Sequence, residues 1–150
     1  MDDDLSSDKG IEYSKLRDLL LEEKWQDADR ETYQVMKRAL KGNWSSSSLK
    51  CFPCKDLLTI NRLWVKYSNR KYGFSVQKGI YLKCGGLLNV PYDEKVFREF
   101  GDVVGWRKRN SWVHYSDLFF DGSGLDGHLP ERSMFRGYGL LGYMRTGRCI

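Results

Sequence analysis

The chain has 150 residues, 41% hydrophobic and 30% charged, with a net charge of +5. That balance excludes a disordered chain and fits one globular domain, and no apolar run approaches the ~18 residues of a membrane-spanning helix. The basic excess suits an anionic ligand, a nucleic acid or an acidic protein surface, or simply a solvated basic face.

Residues 1–9 are polar and acidic and are expected to form a flexible N-terminus, leaving 10–150 as one domain. A helix is predicted over 12–24, with Tyr13, Leu16 and Leu20 on one face at i, i+3 and i+7. A second is predicted over 26–41. Asp27 and Asp29 near its start, and Lys37, Arg38 and Lys41 near its end, match the helix dipole. Its Ala28, Val35, Met36 and Ala39 can face a core. A short link around Trp25 should fold the pair antiparallel. Gly42 and Asn43 stop the second helix, and WSSSSLK, 44–50, reads as a loop with little to bury.

Pro53 suits the first turn of a third helix, whose stripe is Leu57, Ile60, Trp64 and Tyr67. SNRKYG, 68–73, reads as a turn with Gly73 as its permissive residue. Helix resumes with Val76, Ile80 and Cys84 at i, i+4 and i+8, and Gly85 and Gly86 close it. Over 93–106 another helix is predicted, N-capped by Asp93, with Val96, Phe97 and Phe100 on its apolar side. SWVHYSDLFF, 111–120, alternates as a strand would, but nothing nearby offers a partner strand. DGSGLDGHLP, 121–130, has the composition of an ordered loop, and the tail from 131 is Gly-spaced with Arg132, Arg136, Arg145 and Arg148. Five or more helices and no convincing sheet make the fold class all-α.

Few motifs carry chemistry. Cys51 and Cys54 form CFPC. A redox C-x-x-C follows a strand and opens a helix in a βαβ unit, and no strand precedes this one. Zinc would need a second pair at suitable spacing, and Cys84 and Cys149 are isolated. No secretory or transit pattern opens the sequence, so a reducing compartment and free, structural thiols are expected. His128, in GHLP, reads as a hydrogen-bonded loop anchor rather than a base or a ligand, and His114 carries no assignment. There is no P-loop, GxGxxG, GxSxG or HExxH; with two histidines and no clustered carboxylates, the sequence argues against an enzyme. The RKR at 107–109 lacks any RRM, KH or finger context and reads as a solvated turn, so no nucleic-acid partner is expected.

The stronger signal is aromatic. Trp64, Tyr67, Tyr72, Phe74, Tyr81, Trp106, Trp112, Tyr115, Phe119 and Phe120 crowd one stretch, beside Gly-rich loops that carry arginines. Most of these rings must build core. The excess suits a large flat ligand with carboxylates, which rings can cover and guanidinium groups can pair.

The run FPCKDLLTINRLWVKYSNRKYGFSVQKGIYL closely resembles the genomes-uncoupled porphyrin-binding domain of plants, cyanobacteria and algal plastids, a family of magnesium chelatase regulators. YSKLRDLLLEEKWQDADRETYQVM before it, and GW, W, YSDL and GHLP after it, extend the match over about residues 10–138. The resemblance implies an all-α, compact multi-helix single domain shaped like a cupped hand, with a ligand palm formed by helices and two loops. It implies that protoporphyrin IX or Mg-protoporphyrin IX binds there, that the protein holds no intrinsic metal, and that it stimulates magnesium chelatase without catalysis. The partner would be the large porphyrin-binding subunit of that enzyme. A monomer is implied, in the plastid stroma or cyanobacterial cytoplasm, at the periphery of photosynthetic membranes. Some family members bind linear tetrapyrroles (bilins). A sensory or scaffolding module on the same fold, binding a bilin or a protein partner without chelatase stimulation, is therefore the alternative.

Carried over residue by residue, Arg136 stands six residues after the proline of GHLP, where the family places a porphyrin-contacting arginine. Ser133 falls where a polar contact is found, with Phe135 beside them. Tyr115 occupies an aromatic position at the palm, and Phe74, Val76, Trp106 and Trp112 match apolar family positions, some of them core. The chain also departs from the pattern. WSSSSLK is shorter and less apolar than the corresponding loop of many relatives. A second family arginine, three residues after the first, is replaced by Gly139, for which Arg145 or Arg148 could substitute. These departures imply weaker porphyrin binding or a different preferred tetrapyrrole.

Overall fold

The computed structural model describes residues 2–43, 45, 48, 51–88, 93–131 and 149–150. Among them are five α-helices, one two-stranded ribbon and a short 3-10 turn, which makes the protein all-α. Helix α1 is Ser14–Leu21 and buries Leu16 and Leu20; Tyr13, just before it, is buried as well. The helix is shorter than predicted because Glu23 takes a left-handed φ of 57° and ends it. Helix α2, Trp25–Ala39, then packs back on α1. Trp25 is not in the link, as the sequence suggested. It is the first residue of α2 and is buried, because the ring has more apolar surface to hide than a three-residue connection could cover.

Helix α3, Cys54–Tyr67, begins directly after Pro53 and buries Leu57, Ile60, Leu63 and Trp64. The predicted turn follows: Asn69 and Arg70 have φ of 55° and 66°, and Gly73 has φ of 124°. Gly73 is required twice over. Its φ is open to glycine, and a Cβ there would sit 2.7 Å from Val65 Cγ2. Helix α4, Phe74–Lys83, buries Phe74, Gln77 and Tyr81. The Val76–Ile80–Cys84 stripe is half-buried on the other side. Helix α5, Glu94–Val104, is N-capped by Asp93, whose carboxylate accepts from the Lys95 amide at 2.8 Å and the Val96 amide at 3.4 Å.

After α5 comes the strand missed in the sequence. Strand β1, Arg107–Lys108, pairs antiparallel with β2, Ser111–Trp112. Arg109 and Asn110 both have positive φ, the geometry of a two-residue hairpin turn. Two residues per strand are too few to leave an alternating pattern, so RKRN read only as a loop.

Two aromatic clusters fill the core. Trp25, Trp64 and Tyr72 join α2, α3 and the 68–73 turn, with Trp25 and Tyr72 centroids 5.3 Å apart. Tyr81, Phe97, Phe100 and Trp106 join α4, α5 and the hairpin. The acidic leader lies against α3. Ser7 Oγ, the Asp8 amide and the Tyr13 hydroxyl all donate to the buried Asp56. Asp3 meets Lys66 and Tyr67, and Arg62 donates to the Asp4 carbonyl at 3.1 Å.

Cysteine chemistry corrects a further expectation. Cys54 and Cys149 form a disulfide across a sequence separation of 95, while Cys51 and Cys84 are free thiols. The expectation of free thiols fails at this pair, because no local spacing shows that the end of the chain returns to the start of α3. No helix among the described residues is long and apolar enough to cross a membrane.

Candidate functional site

Two features adjoin the stretch 113–131, which runs from the hairpin to the last residue described before the tail. The first is a corner built on Asp29. This carboxylate is on the core side of α2 and fully buried. Its Oδ2 accepts from the Tyr115 hydroxyl at 2.7 Å, and its Oδ1 accepts from the Glu131 amide at 2.8 Å. One buried acid thus fixes both an aromatic residue and the backbone at Glu131. Tyr115 lies against Phe120, centroids 5.2 Å apart. Nearby in sequence, Trp112 is half-buried at the ribbon, against Phe97 and under the Arg107 guanidinium at 5.1 Å.

The second is a groove of about 850 Å³ between α4, α5 and residues 124–126. Val76, Ile80, Cys84, Val103 and Leu125 give it apolar walls, and Lys71 and Lys83 bring cations to it. Gly79 opens the α4 face: a Cβ there would meet nothing within 4 Å. Burial, with Glu99 adding to it, pushes the Cys84 thiol up from its ordinary pKa. Behind the groove, Gln77 Nε2 donates to the carbonyls of Gly127 and Pro130 at 2.9 and 2.8 Å and clamps the loop to α4. Gly127, with φ of 77°, lets that loop close: a Cβ would stand 2.8 Å from Ile80 Cδ1. Among the described residues no cluster of His, Cys, Asp or Glu could hold a metal ion.

The model of the GUN4-like family matches residues 6–145. The chain belongs to the GUN4-like family. A Ycf53-like protein of Synechocystis sp. is 32% identical over 140 residues, which are 89% of this chain and 56% of that protein. The Arabidopsis thaliana protein named "Tetrapyrrole-binding protein, chloroplastic" is 30% identical over 146 residues, 86% of this chain and 51% of its own length. The chain therefore spans little more than half the length of the curated relatives it matches. Solved structures agree on the fold. GUN4 from Chlamydomonas reinhardtii superposes with a TM-score of 0.74 at 27% identity, covering 98% of this chain and 96% of that one. Ligand-free Arabidopsis GUN4 gives 0.75 at 24% identity, covering 97% and 99%, and bears on the fold alone.

Within this GUN4-like fold the residues singled out in the sequence separate. Val76 lines the groove. Tyr115 holds the Asp29 corner. Phe74 and Trp106 have no exposed surface; Trp106 Nε1 donates to the His128 carbonyl at 2.8 Å. Trp112 edges the ribbon. Ser133, Phe135 and Arg136 lie outside the described residues, as do Arg132, Gly139, Arg145 and Arg148. Sequence reasoning missed Asp29 and Gln77 as positioning residues. Asp29 was credited to the helix dipole, yet it is at i, i+3 and i+7 with the buried Thr32 and Met36. A carboxylate in a core stripe was the available signal.

His128 is the loop anchor expected. Its Nδ1 is 2.7 Å from the Val104 carbonyl and so donates, and its Nε2 accepts from the Phe119 amide at 3.0 Å. Burial holds its pKa below the ordinary histidine value, against the pull of the Val104 carbonyl. The unfolded chain therefore binds a proton at higher pH than the folded one. Stability from His128 is full above the unfolded pKa and is lost as pH falls from there through the lower folded pKa. Unfolding free energies from urea titrations should hold constant in this contribution above about pH 7 and fall as pH drops from there to about 5, with a slope of up to ~1.4 kcal/mol per pH unit. His128→Gln should flatten that slope; an equal slope in the variant would place the titration elsewhere.

Proposed function

We propose that this chain binds a cyclic tetrapyrrole, protoporphyrin IX or Mg-protoporphyrin IX, and regulates magnesium chelatase in chlorophyll biosynthesis without catalysis of its own. Membership of the GUN4-like family, with a relative named for tetrapyrrole binding, carries this reading. The described chemistry fits such a ligand. A macrocycle offers a wide apolar face and two carboxylates, which need apolar or aromatic walls and a few cations. The Tyr115–Phe120 corner supplies rings, and Val76 belongs to an apolar surface with lysines beside it. In this reading Tyr115, Trp112, Val76, Ser133 and Phe135 touch the macrocycle and Arg136 pairs a propionate. Phe74 and Trp106, wholly buried, hold the framework instead. Any metal arrives inside the porphyrin.

Residues 10–150 form the binding domain in this proposal. It acts as a monomer on the large subunit of the chelatase, in a plastid stroma or cyanobacterial cytoplasm at the periphery of photosynthetic membranes, with no nucleic-acid role. Titration with deuteroporphyrin and its magnesium form, followed by tryptophan quenching and the Soret band, tests the binding. Saturation at one-to-one stoichiometry is expected. Arg136→Ala should then weaken binding by about 1.5–3 kcal/mol, the worth of a charge-assisted hydrogen bond. Chelatase turnover at low magnesium, with and without the protein, tests the regulatory half. Saturable bilin binding without porphyrin binding or chelatase stimulation would favour a sensory or scaffolding module.

A further inference from the structure

CFPC is the motif that tetrapyrrole binding leaves unused. Cys54 is the first residue of α3 and is bonded to Cys149, with Cα atoms 5.2 Å apart. Cys51, three residues earlier, is an exposed free thiol. It lines an open cleft of about 490 Å³ with Lys9, Lys41 and Ser48, so a small thiol or an alkylating reagent can reach it. At the far end of the bond, Cys149 and Ile150 pack against the core, and Lys78 Nζ on α4 donates to the Ile150 carbonyl. The disulfide thus ties the end of the chain to α3.

We propose that Cys51, Cys54 and Cys149 form a thiol–disulfide switch, in which Cys51 displaces Cys149 from Cys54 and releases the chain terminus from α3. The step balances within the chain. The Cys51 thiol gives its proton to water, and its thiolate attacks Cys54 Sγ. A Cys51–Cys54 bond forms as Cys54–Cys149 breaks, and Cys149 leaves as a thiolate that takes up a proton. No external oxidant or reductant is consumed. The C-x-x-C spacing lets the new bond close a short ring, with Cys51 three residues before Cys54 at the start of a 14-residue helix. Because the tail from 131 carries Arg136, the switch also bears on ligand binding; that arm alone rests on the proposed function.

The test is disulfide mapping. Unreduced protein is incubated at a series of pH values, quenched with N-ethylmaleimide, digested and analysed by mass spectrometry. Both Cys54–Cys149 and Cys51–Cys54 peptides are expected, and their approach to a constant ratio should quicken as pH rises and thiolate forms. Cys51→Ser should hold the Cys54–Cys149 bond at every pH, and Cys149→Ser, which has no disulfide to exchange, should yield Cys51–Cys54 once glutathione disulfide is supplied as the oxidant. Carboxypeptidase should remove Ile150 about tenfold faster from Cys149→Ser than from Cys51→Ser, since a covalent anchor no longer limits local opening. Cys54–Cys149 with Cys51 fully alkylated at every pH would overturn the switch, as would complete alkylation of all three thiols in unreduced protein. Mapping needs no tetrapyrrole, so its failure is distinct from a failure of ligand binding. If exchange is seen, deuteroporphyrin affinity of the two serine variants reports whether the released terminus matters to the ligand.

Discussion

Trp64→Ala should cost about 3–5 kcal/mol of folding stability, read as a shift in the urea midpoint at unchanged slope. The side chain has no exposed surface. Its ring stacks on Trp25 at 6.2 Å and meets the edge of Tyr72 at the same distance. Its Nε1 donates to the Thr32 hydroxyl at 2.9 Å, and that hydroxyl donates in turn to the Ala28 carbonyl at 2.8 Å. Truncation removes the transfer energy of the largest side chain and leaves a cavity where α2, α3 and the 68–73 turn meet. Trp64→Phe separates the terms. It keeps most of the ring and loses the N–H, and should cost about 1–2 kcal/mol, close to one buried hydrogen bond plus a small void. A loss below about 1 kcal/mol for the alanine variant would mean that the neighbouring rings collapse into the space, and that the junction does not depend on this residue.

The same junction explains why aromatics surround the polar turn SNRK. Trp64 and Tyr72 flank the turn and both reach Trp25, so the turn is fixed from α2 as well as by its own backbone. The direction of α4 follows from that turn. The other aromatics complete the second cluster and the Tyr115 corner, so the ring excess serves core first and surface second.

Helix periodicity was legible wherever a stripe met a single core. Leu16 and Leu20 on α1, and Leu57, Ile60 and Trp64 on α3, are buried as their spacing requires. On α4 the period indicated a helix but not which side faces inward. Val76, Ile80 and Cys84 match one face, while Phe74, Gln77 and Tyr81 bury the other. A short helix with apolar residues on both sides between a core and a groove gives two valid stripes, and only the position of α5 and the 124–126 loop decides between them. The Asp93 cap and the Gly73 turn were readable because their chemistry is local. The ribbon, the disulfide and the Asp29 corner were not. Asp29 and Glu131 are separated by 102 residues, and Cys54 and Cys149 by 95. Such contacts are products of the fold: the stripe of Asp29 with Thr32 and Met36 could show that the acid is buried, but not which distant groups donate to it. The resemblance to a known family pointed to Tyr115 and the segment after GHLP, and it was silent on the acid beneath them.

That acid yields the second large effect. Asp29→Ala should cost about 3–5 kcal/mol of stability, because removing a buried carboxylate strands the groups that donate to it. The stranded groups include the Tyr115 hydroxyl and the Glu131 amide. Asp29→Asn keeps a carbonyl oxygen for one donor but presents an NH₂ to the other, so it should cost about 1–3 kcal/mol. Tyr115→Phe removes one donor along with its bond and should be milder still, at about 1 kcal/mol. The order Ala, Asn, then Tyr115→Phe is the signature of a carboxylate serving several donors. Tetrapyrrole titration adds the functional half. Asp29 is buried and cannot touch a ligand, yet it fixes both Tyr115 and the start of the segment that carries Arg136. Under the proposed function, Asp29→Asn, assayed where it is fully folded, should bind deuteroporphyrin about tenfold more weakly, through misplacement of contacts rather than loss of one. Folded Asp29→Asn with unchanged affinity would separate the corner from the ligand site and leave the lysine-flanked groove between α4 and α5 as the place to look for the macrocycle.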